Sequence, residues 1–123
     1  MRELKKKVLI VEDEKNILDA QAMILEDEFK VIKAMDGDAG FKLAKKHRPD
    51  LIVLDLMLPS RGGYDLCFNF RQDEELKDTK ILMVTALSQE IDKKKGRMVG
   101  TDHYMTKPFE PSEFLDKVKS LLE

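Results

Sequence analysis

The sequence predicts an α/β protein built on one doubly wound parallel sheet with helices on both faces. Three runs of four consecutive apolar residues, at 8–11, 51–54 and 81–84, are typical of strands that are buried on both faces. Segments with helical periodicity separate these runs, and alternating strands and helices form a parallel sheet. The length of 123 residues suits one domain, which we expect to span residues 1–123.

The composition narrows the classes of function. The net charge of -2 gives no electrostatic basis for direct binding of nucleic acid or an acidic membrane. No apolar run approaches the length of a membrane span, and the N-terminus lacks the apolar core of a signal peptide. The single cysteine, Cys67, permits no internal disulfide, so we expect a reduced, cytoplasmic setting.

The elements of the first half follow from apolar spacing. After the strand at 8–11, a helix is predicted from about Lys15 to Asp27, with an apolar stripe formed by Leu18, Ala22 and Leu25 and flanked by Ile17 and Ile24. The β-prone segment 29–34 predicts a second strand. Residues 36–38 supply a turn and an N-cap for a helix to about His47, whose inward residues are Leu43 and Ala44.

The second half continues the alternation after the central strand at 51–54. A loop at 59–63 precedes a third helix that buries Leu66, Cys67 and Phe70, and a polar connection leads to the strand at 81–84. The weakest predicted helix runs from Ser88 to Met98, with Ile91 and Met98 as almost its only apolar anchors. A short strand at 104–106 precedes a final helix at 111–122, whose predicted buried stripe comprises Phe114, Leu115, Val118, Leu121 and Leu122.

Polar side chains follow four of the predicted strands, at the point where each strand ends. A single Asp at such a position is usually a cap or turn residue. In a doubly wound sheet, however, ligands bind beyond the carboxyl ends of the strands, where the strand order reverses. The polar residues that would meet at this edge are Glu12, Asp13, Asp55, Thr85 and Lys107. Five such groups at one edge indicate a functional site.

The residue types at this edge favour phosphoryl chemistry assisted by a metal ion. Two carboxylates in close contact repel each other by roughly 4 kcal/mol at an effective dielectric constant of about 20, and Lys107 supplies a single compensating charge. Mg²⁺ prefers oxygen ligands and would complete the charge balance, whereas zinc would favour His or Cys. A carboxylate beside a metal and a lysine is a nucleophile toward phosphorus, and Asp55 is the best candidate. Lys107 and Thr85 could each hold a phosphoryl oxygen.

These motifs resemble the receiver domain of two-component response regulators over nearly the whole chain. The matching segments are VLIVEDE at 8–14, VLDLMLP at 53–59, VTA at 84–86 and TKPF at 106–109. The resemblance implies a flavodoxin-like sheet of strand order 2-1-3-4-5. It also implies a phosphorelay switch that is not a metabolic enzyme: Asp55 would become an aspartyl phosphate, receiving phosphate from a histidine kinase or phosphotransfer protein. Such a switch assists its own phosphorylation and dephosphorylation.

The resemblance also implies roles for single residues. Asp13, Asp55 and the backbone carbonyl of Met57 would contact Mg²⁺ directly, and Glu12 would act through a water. Lys107 would pair with the phosphoryl group, and the Lys107-Pro108 bond would be cis. Thr85 would move toward the phosphate while Tyr104 repositions on an output surface formed by the fourth helix, the last strand and the last helix. The histidine donor would contact Asn16, Ile17, Ala20, Pro108 and Phe109.

Two apolar positions lead us to predict a long-lived phosphate. Met57 and Leu87 lie two residues after Asp55 and Thr85 and flank the expected water path. Neither side chain can orient an attacking water, so intrinsic loss of phosphate should be slow.

Two alternatives stay open. A phosphohydrolase of the haloacid-dehalogenase type would need a second Asp where Met57 stands, and a pseudo-receiver would bind partners without phosphorylation. We expect a stand-alone receiver or a phosphorelay intermediate, with part of a longer protein as a further possibility that the sequence does not separate from these. We expect it to act on a downstream protein and to contact neither nucleic acid nor membrane. We expect a monomer, with phosphorylation-dependent dimerisation as the alternative.

Overall fold

The computed structural model describes residues 5–123 and shows five strands alternating with five helices. The strands are β1 (Lys7–Val11), β2 (Lys30–Ala34), β3 (Leu51–Leu54), β4 (Lys80–Thr85) and β5 (His103–Thr106). The helices are α1 (Lys15–Leu25), α2 (Gly37–His47), α3 (Gly63–Gln72), α4 (Glu90–Val99) and α5 (Pro111–Leu121). The first four residues of the predicted domain lie outside the described residues. No helix within 5–123 is long and apolar enough to cross a bilayer.

All strand pairs are parallel, and the sheet order is β2-β1-β3-β4-β5, which confirms the predicted fold and strand order. The apolar runs are continuous because each central strand is covered on both faces. On one face, side chains such as Leu9 and Ile52 pack with the buried residues of α2 and α3. On the other face, side chains such as Ile10 and Val53 pack with those of α1 and α5.

Most predicted boundaries agree with the structure to within two residues. Helix α1 ends at Leu25, earlier than predicted, because Glu28 and Phe29 donate their N–H groups to the Leu25 carbonyl in a closing turn. Asp36 caps α2 as predicted, accepting the N–H of Ala39 at 2.8 Å. On α5, Phe114 and Val118 are fully buried, whereas the other residues of the predicted stripe are half-buried.

The predicted anchors of α4 are wrong. Ile91 is 53% exposed and Met98 is 77% exposed, so neither attaches the helix to the core. The Tyr64 hydroxyl instead donates to the Asp92 carbonyl at 2.8 Å, which ties the first turn of α4 to α3. The side of α4 that faces the sheet carries Gly96, which is buried. Val99, at the end of α4, also packs against the core and is half-buried. Hydrophobic periodicity could not show the rest of the attachment, which is made by a hydroxyl and by a residue without a side chain.

Gly96 lets α4 lie close to β5. A Cβ atom at this position would lie 3.1 Å from Cδ2 of Tyr104 and 3.3 Å from Oγ1 of Thr101. Glycine weakens an isolated helix, and here it also removes the bulk that would separate the helix from the Tyr104 ring. The marginal helix propensity of α4 is therefore coupled to its packing.

One arginine fixes the opposite end of α4. Arg71, at the end of α3, donates through Nε to the Gly100 carbonyl at 2.9 Å and through Nη1 to the Thr79 carbonyl at 2.6 Å. Its Nη2 donates to Asp102 Oδ2 at 2.9 Å, and the same carboxylate oxygen accepts the N–H of Ile81 at 2.8 Å. Arg71 thus joins the connection before β4 to the connection between α4 and β5.

Candidate functional site

The carboxyl ends of four strands converge on one pocket. Glu12 follows β1 directly, Asp55 follows β3, Thr85 ends β4 and Lys107 follows β5. The Lys107 ammonium nitrogen lies 2.5 Å from Glu12 Oε1 and 3.1 Å from Asp55 Oδ2. The structure therefore brings together the charged residues that sequence analysis placed at this edge.

Three carboxylates share the pocket with this lysine. Glu12, Asp13 and Asp55 each offer an oxygen, and these oxygens lie within 4.8 Å of one another. Glu12 is 2% exposed and Asp55 is 7% exposed, whereas Asp13 is open to solvent. The donor set of this cluster is all oxygen, which suits a hard divalent cation better than zinc.

Burial and ion pairing act in opposite directions on the two most enclosed charges. Burial raises the pKa of Glu12, despite hydrogen bonds from the Lys107 ammonium and from the Glu14 N–H, which lies 3.1 Å from Oε2. For Lys107, burial favours the neutral amine, but the bonds to Glu12 and Asp55 outweigh it and raise its pKa. Lys107 therefore stays an ammonium, and its charge makes the buried carboxylates tolerable.

Two further predicted residues lie around Asp55. The Thr85 side chain is fully buried, and its Oγ1 accepts the N–H of Leu87 at 3.4 Å. The Met57 N–H donates to Asp55 Oδ1 at 3.3 Å, while its side chain is 66% exposed. Thr85 is thus buried at the end of β4 and bonded to the loop that follows it, and Met57 is bonded to Asp55 through its backbone and exposes its side chain.

The backbone beside Asp55 requires a glycine at the start of α3. A Cβ atom on Gly63 would lie 2.3 Å from the Asp55 carbonyl oxygen and 2.6 Å from Cα of Leu56. The Gly63 N–H also donates to the Leu56 carbonyl at 3.0 Å. Sequence analysis treated this glycine as part of a loop, and its packing against the site is a finding of the structure.

The predicted docking residues form a single groove between α1 and the β5–α5 connection. This α1 groove has a volume of about 440 Å³ and is lined by Asn16, Ile17, Ala20, Gln21, Ile24, Lys107, Pro108, Phe109 and Pro111. The Lys107-Pro108 bond is cis, as the resemblance implied. Gln21 was not predicted, although its position four residues after Ile17 and three before Ile24 places it on the apolar side of the helix.

Tyr104 connects β5 to the loop between β4 and α4. It is half-buried, and its hydroxyl donates to the Leu87 carbonyl at 2.8 Å. Burial raises the pKa of the Tyr104 hydroxyl, so it stays protonated as a donor at neutral pH. Because the Leu87 N–H donates to Thr85 Oγ1, this loop contacts both Thr85 and Tyr104.

The fold and site define a doubly wound α/β protein with an acidic pocket where the strand order reverses, between β1 and β3. A family model described as the response regulator receiver domain matches residues 8–119. The chain therefore belongs to the response regulator receiver domains of two-component systems, a family of switches rather than of enzymes in the usual sense.

Individual relatives agree with this assignment. The chain is 43% identical over 120 residues to the alkaline phosphatase synthesis transcriptional regulatory protein PhoP of Bacillus subtilis, covering 97% of this chain and 49% of that protein. It is 44% identical over 117 residues to the DNA-binding dual master transcriptional regulator RpaA of Synechocystis, covering 94% and 48%. The chain thus spans about half the length of these relatives. The structure of the chemotaxis protein CheY4 of Vibrio cholerae matches with a TM-score of 0.92 at 31% identity, covering 97% and 100%.

Proposed function

We propose that this chain is a phosphorylation-dependent switch in which Asp55 accepts a phosphoryl group from a phosphohistidine. The donor is a sensor histidine kinase or a histidine phosphotransfer protein. The observation that carries the proposal is the setting of Asp55, which directly follows the central strand β3 and lies 3.1 Å from the Lys107 ammonium and beside two further carboxylates. Membership of the receiver family supports the same reading.

The proposed reaction is a single displacement at phosphorus. A carboxylate oxygen of Asp55 forms a bond to phosphorus while the phosphorus–nitrogen bond of the phosphohistidine breaks. The electron pair of the broken bond stays on the imidazole nitrogen, which takes a proton from solvent. Lys107 holds one equatorial oxygen of the transferred group. Thr85 holds a second after its buried hydroxyl leaves the Leu87 N–H and turns toward the phosphate.

The acidic cluster fits Mg²⁺, because three carboxylate oxygens within 4.8 Å of one another form the all-oxygen donor set that this ion prefers. Asp13, Asp55 and the backbone carbonyl of Met57 would hold it directly, and Glu12 would act through a water. When bound, Mg²⁺ would neutralise charge on the phosphoryl oxygens.

The output follows from the contacts of the β4–α4 loop. A phosphoryl group adds negative charge at Asp55, and the movement of Thr85 toward it releases the hydrogen bond to Leu87. The Tyr104 hydroxyl bonds to the same residue, so its contact changes as well. Phosphorylation thereby shifts a two-state equilibrium of the surface formed by α4, β5 and α5. The protein that binds this surface is a downstream target in the cytoplasm.

Slow loss of phosphate is part of the proposal. Met57 and Leu87 offer no group that could orient water for attack on the aspartyl phosphate. We expect a lifetime well beyond seconds for the purified protein, and a shorter one for Met57→Asn, which adds a polar side chain at the solvent side of the pocket. A half-life of seconds for the unaltered protein would contradict this expectation.

Intact mass after incubation with phosphoramidate and Mg²⁺ tests the function. The expected result is one added phosphoryl group, which is absent in Asp55→Asn and in the presence of a chelator. Asp65→Asn is the matched control, because Asp65 is an exposed carboxylate on α3 outside the pocket. Absence of the adduct would favour a phosphorylation-independent interaction module. Steady consumption of phosphoramidate without an adduct would favour a hydrolase.

A further inference from the structure

We propose that Ser60 is a positioning residue for the metal ion of the Asp55 pocket. Its hydroxyl would fix the β3–α3 loop, residues 55–62, so that the backbone carbonyl of Met57 stays available to Mg²⁺. This inference rests on the proposed function. It adds a contact outside the carboxylate cluster that sets the affinity of the site for the ion.

The backbone of Ser60 has a conformation that serine rarely adopts. Among the described residues, Arg48 and Ser60 are the non-glycine residues with a positive φ, at 47° and 65°. Arg48 follows the last residue of α2, and a left-handed residue commonly ends a helix. Ser60 instead lies within a loop, three residues after Met57. Contacts with the surrounding structure are therefore needed to hold Ser60 in the left-handed region.

The first turn of α2 supplies these contacts. The Ser60 hydroxyl donates to Asp36 Oδ1 at 3.3 Å and accepts the N–H of Asp38 at 3.1 Å. The same oxygen of Asp36 accepts the N–H of Ala39 at 2.8 Å, which fixes the Asp36 side chain as the cap of the helix. One hydroxyl thus joins the β3–α3 loop to the capped start of α2.

The residues on either side of Ser60 contact the same turn. The Gly37 N–H donates to the Pro59 carbonyl at 3.2 Å. A Cβ atom on Gly37 would lie 2.6 Å from Cβ of Arg61, so the loop lies directly against the helix. The Arg61 guanidinium also pairs with Asp38 at 3.0 Å. The loop is therefore held to α2 at three consecutive residues, with Ser60 in the middle.

Little backbone freedom separates Ser60 from Met57. Pro59 has a fixed φ, and the residue before a proline is restricted to extended conformations. That residue, Leu58, is half-buried and packs against the core. A rotation of the backbone at Ser60 would therefore move the Met57 carbonyl, because the two residues between them have little freedom to absorb it. Mg²⁺ demands near-ideal octahedral geometry, so a displaced carbonyl oxygen weakens its binding.

Two substitutions separate this role from a simple contact with α2. Ser60→Ala removes the hydroxyl and leaves a residue that disfavours a positive φ. Ser60→Gly also removes the hydroxyl, but glycine adopts a positive φ without supporting contacts. Ser112→Ala is the matched control, because Ser112 is an exposed serine on α5, outside both the loop and α2.

The dissociation constant for Mg²⁺ is measured without a phosphoryl donor, from backbone amide shifts during NMR titration with magnesium chloride. Ser60→Ala should raise this constant roughly fivefold, the effect of losing one hydrogen-bonded contact. Ser60→Gly should raise it by less than about twofold, and Ser112→Ala should match the unaltered protein. In phosphoramidate labelling, the Mg²⁺ concentration that gives half the maximal rate should rise in the same order. The rate at saturating Mg²⁺ should stay within about twofold of the unaltered rate, because the substitutions leave Asp55, Lys107 and Thr85 in place.

Other outcomes overturn the inference in distinguishable ways. An unchanged dissociation constant in Ser60→Ala would exclude a role for the hydroxyl. Equal increases in Ser60→Ala and Ser60→Gly would show that the hydroxyl does not act by holding the left-handed backbone. A fall in the saturating rate with no change in the Mg²⁺ dependence would place the effect outside metal binding. Mg²⁺ binding by the unaltered protein without any phosphoryl adduct would refute the proposed function, whereas the dissociation constants of the variants would still test Ser60.

Discussion

Replacing Lys107 with methionine should destabilise the protein by leaving two buried carboxylates without their cation. The Lys107 nitrogen lies 2.5 Å from Glu12 and 3.1 Å from Asp55, and its side chain is 18% exposed. Coulomb's law gives roughly 6–7 kcal/mol for the shorter contact at an effective dielectric constant of about 20. Desolvation of the charges offsets much of this attraction, and removing one partner of a buried pair typically costs about 3–5 kcal/mol. Because Lys107 is partly exposed, we expect a loss of roughly 3 kcal/mol at pH 8.

The loss of stability in Lys107→Met should be larger at high pH than at low pH. Burial already raises the pKa of Glu12, and in Lys107→Met its largest opposing interaction is absent. A carboxyl group whose pKa is higher in the folded than in the unfolded state contributes stability below its unfolded pKa. That contribution disappears as pH rises through the folded pKa. The deficit of Lys107→Met should therefore be largest at pH 8 and should shrink toward pH 5.

Urea unfolding in the presence of a chelator measures the deficit at both pH values. Adding Glu12→Gln to Lys107→Met should recover about 2 kcal/mol at pH 8, because the buried charge is then absent. Lys119→Met is the matched control: Lys119 pairs with Glu28 at 3.2 Å on the surface, so the expected change is below about 1 kcal/mol. An equal deficit at pH 5 and pH 8, or a double variant no more stable than Lys107→Met, would refute the assignment of the loss to Glu12.

Three further predictions follow from packing. Burial raises the pKa of the Cys67 thiol to about 11 from an ordinary 9.0, so its thiolate fraction at pH 8 is lower by about 100-fold. A disulfide reagent should then modify Cys67 at the rate of unfolding, and rapid labelling of the native protein would contradict its burial. Tyr64→Phe removes the hydroxyl that holds the first turn of α4 and should lower local stability by about 1 kcal/mol. In Tyr64→Phe the rate of amide hydrogen exchange in α4 should rise about fivefold, whereas the rate in α2 should stay unchanged. An exchange rate in α4 equal to that of the unaltered protein would show that the bond contributes nothing to stability. Gly63→Ala should distort the backbone at Asp55, lowering stability by more than about 2 kcal/mol and abolishing phosphoramidate labelling. Gly62→Ala, where a Cβ has 3.9 Å of room, should retain both properties.

The pocket could be predicted from the sequence because it depends on chain direction. In a parallel sheet, the residue that follows each strand emerges at the same edge, so finding the strands was enough to bring Glu12, Asp55 and Lys107 together. The same rule could not show which carboxylate lies nearer to Lys107. That the lysine lies nearer to Glu12 than to Asp55 depends on side-chain conformations, which apolar patterns do not encode.

The features that sequence analysis missed are side chains whose burial differs from the average for their residue type. Gln21 has a polar side chain and was therefore not assigned to the apolar stripe of α1, yet it is buried. Ile91 and Met98 are apolar and were assigned as anchors of α4, yet both are exposed. Hydrophobic periodicity ranks residues by their average hydrophobicity. It therefore gives no sign of the hydrogen bond by which the Tyr64 hydroxyl attaches the first turn of α4.

The bonds of Arg71 hold the C-terminal end of α4 in place, so the helix can pivot about that end. Gly100, which accepts from Arg71, follows the last residue of the helix, whereas the first turn carries the contact with Tyr64. A displacement that preserves the Arg71 bonds is a swing of the first turn. Helix α4 has ten residues and is therefore about 15 Å long. A rotation of about 20° about its C-terminal end moves the first turn by roughly 5 Å, whereas the C-terminal end stays in place. A partner bound to the first turn of α4 would have its contacts changed by this displacement, whereas a partner bound at Gly100 would not.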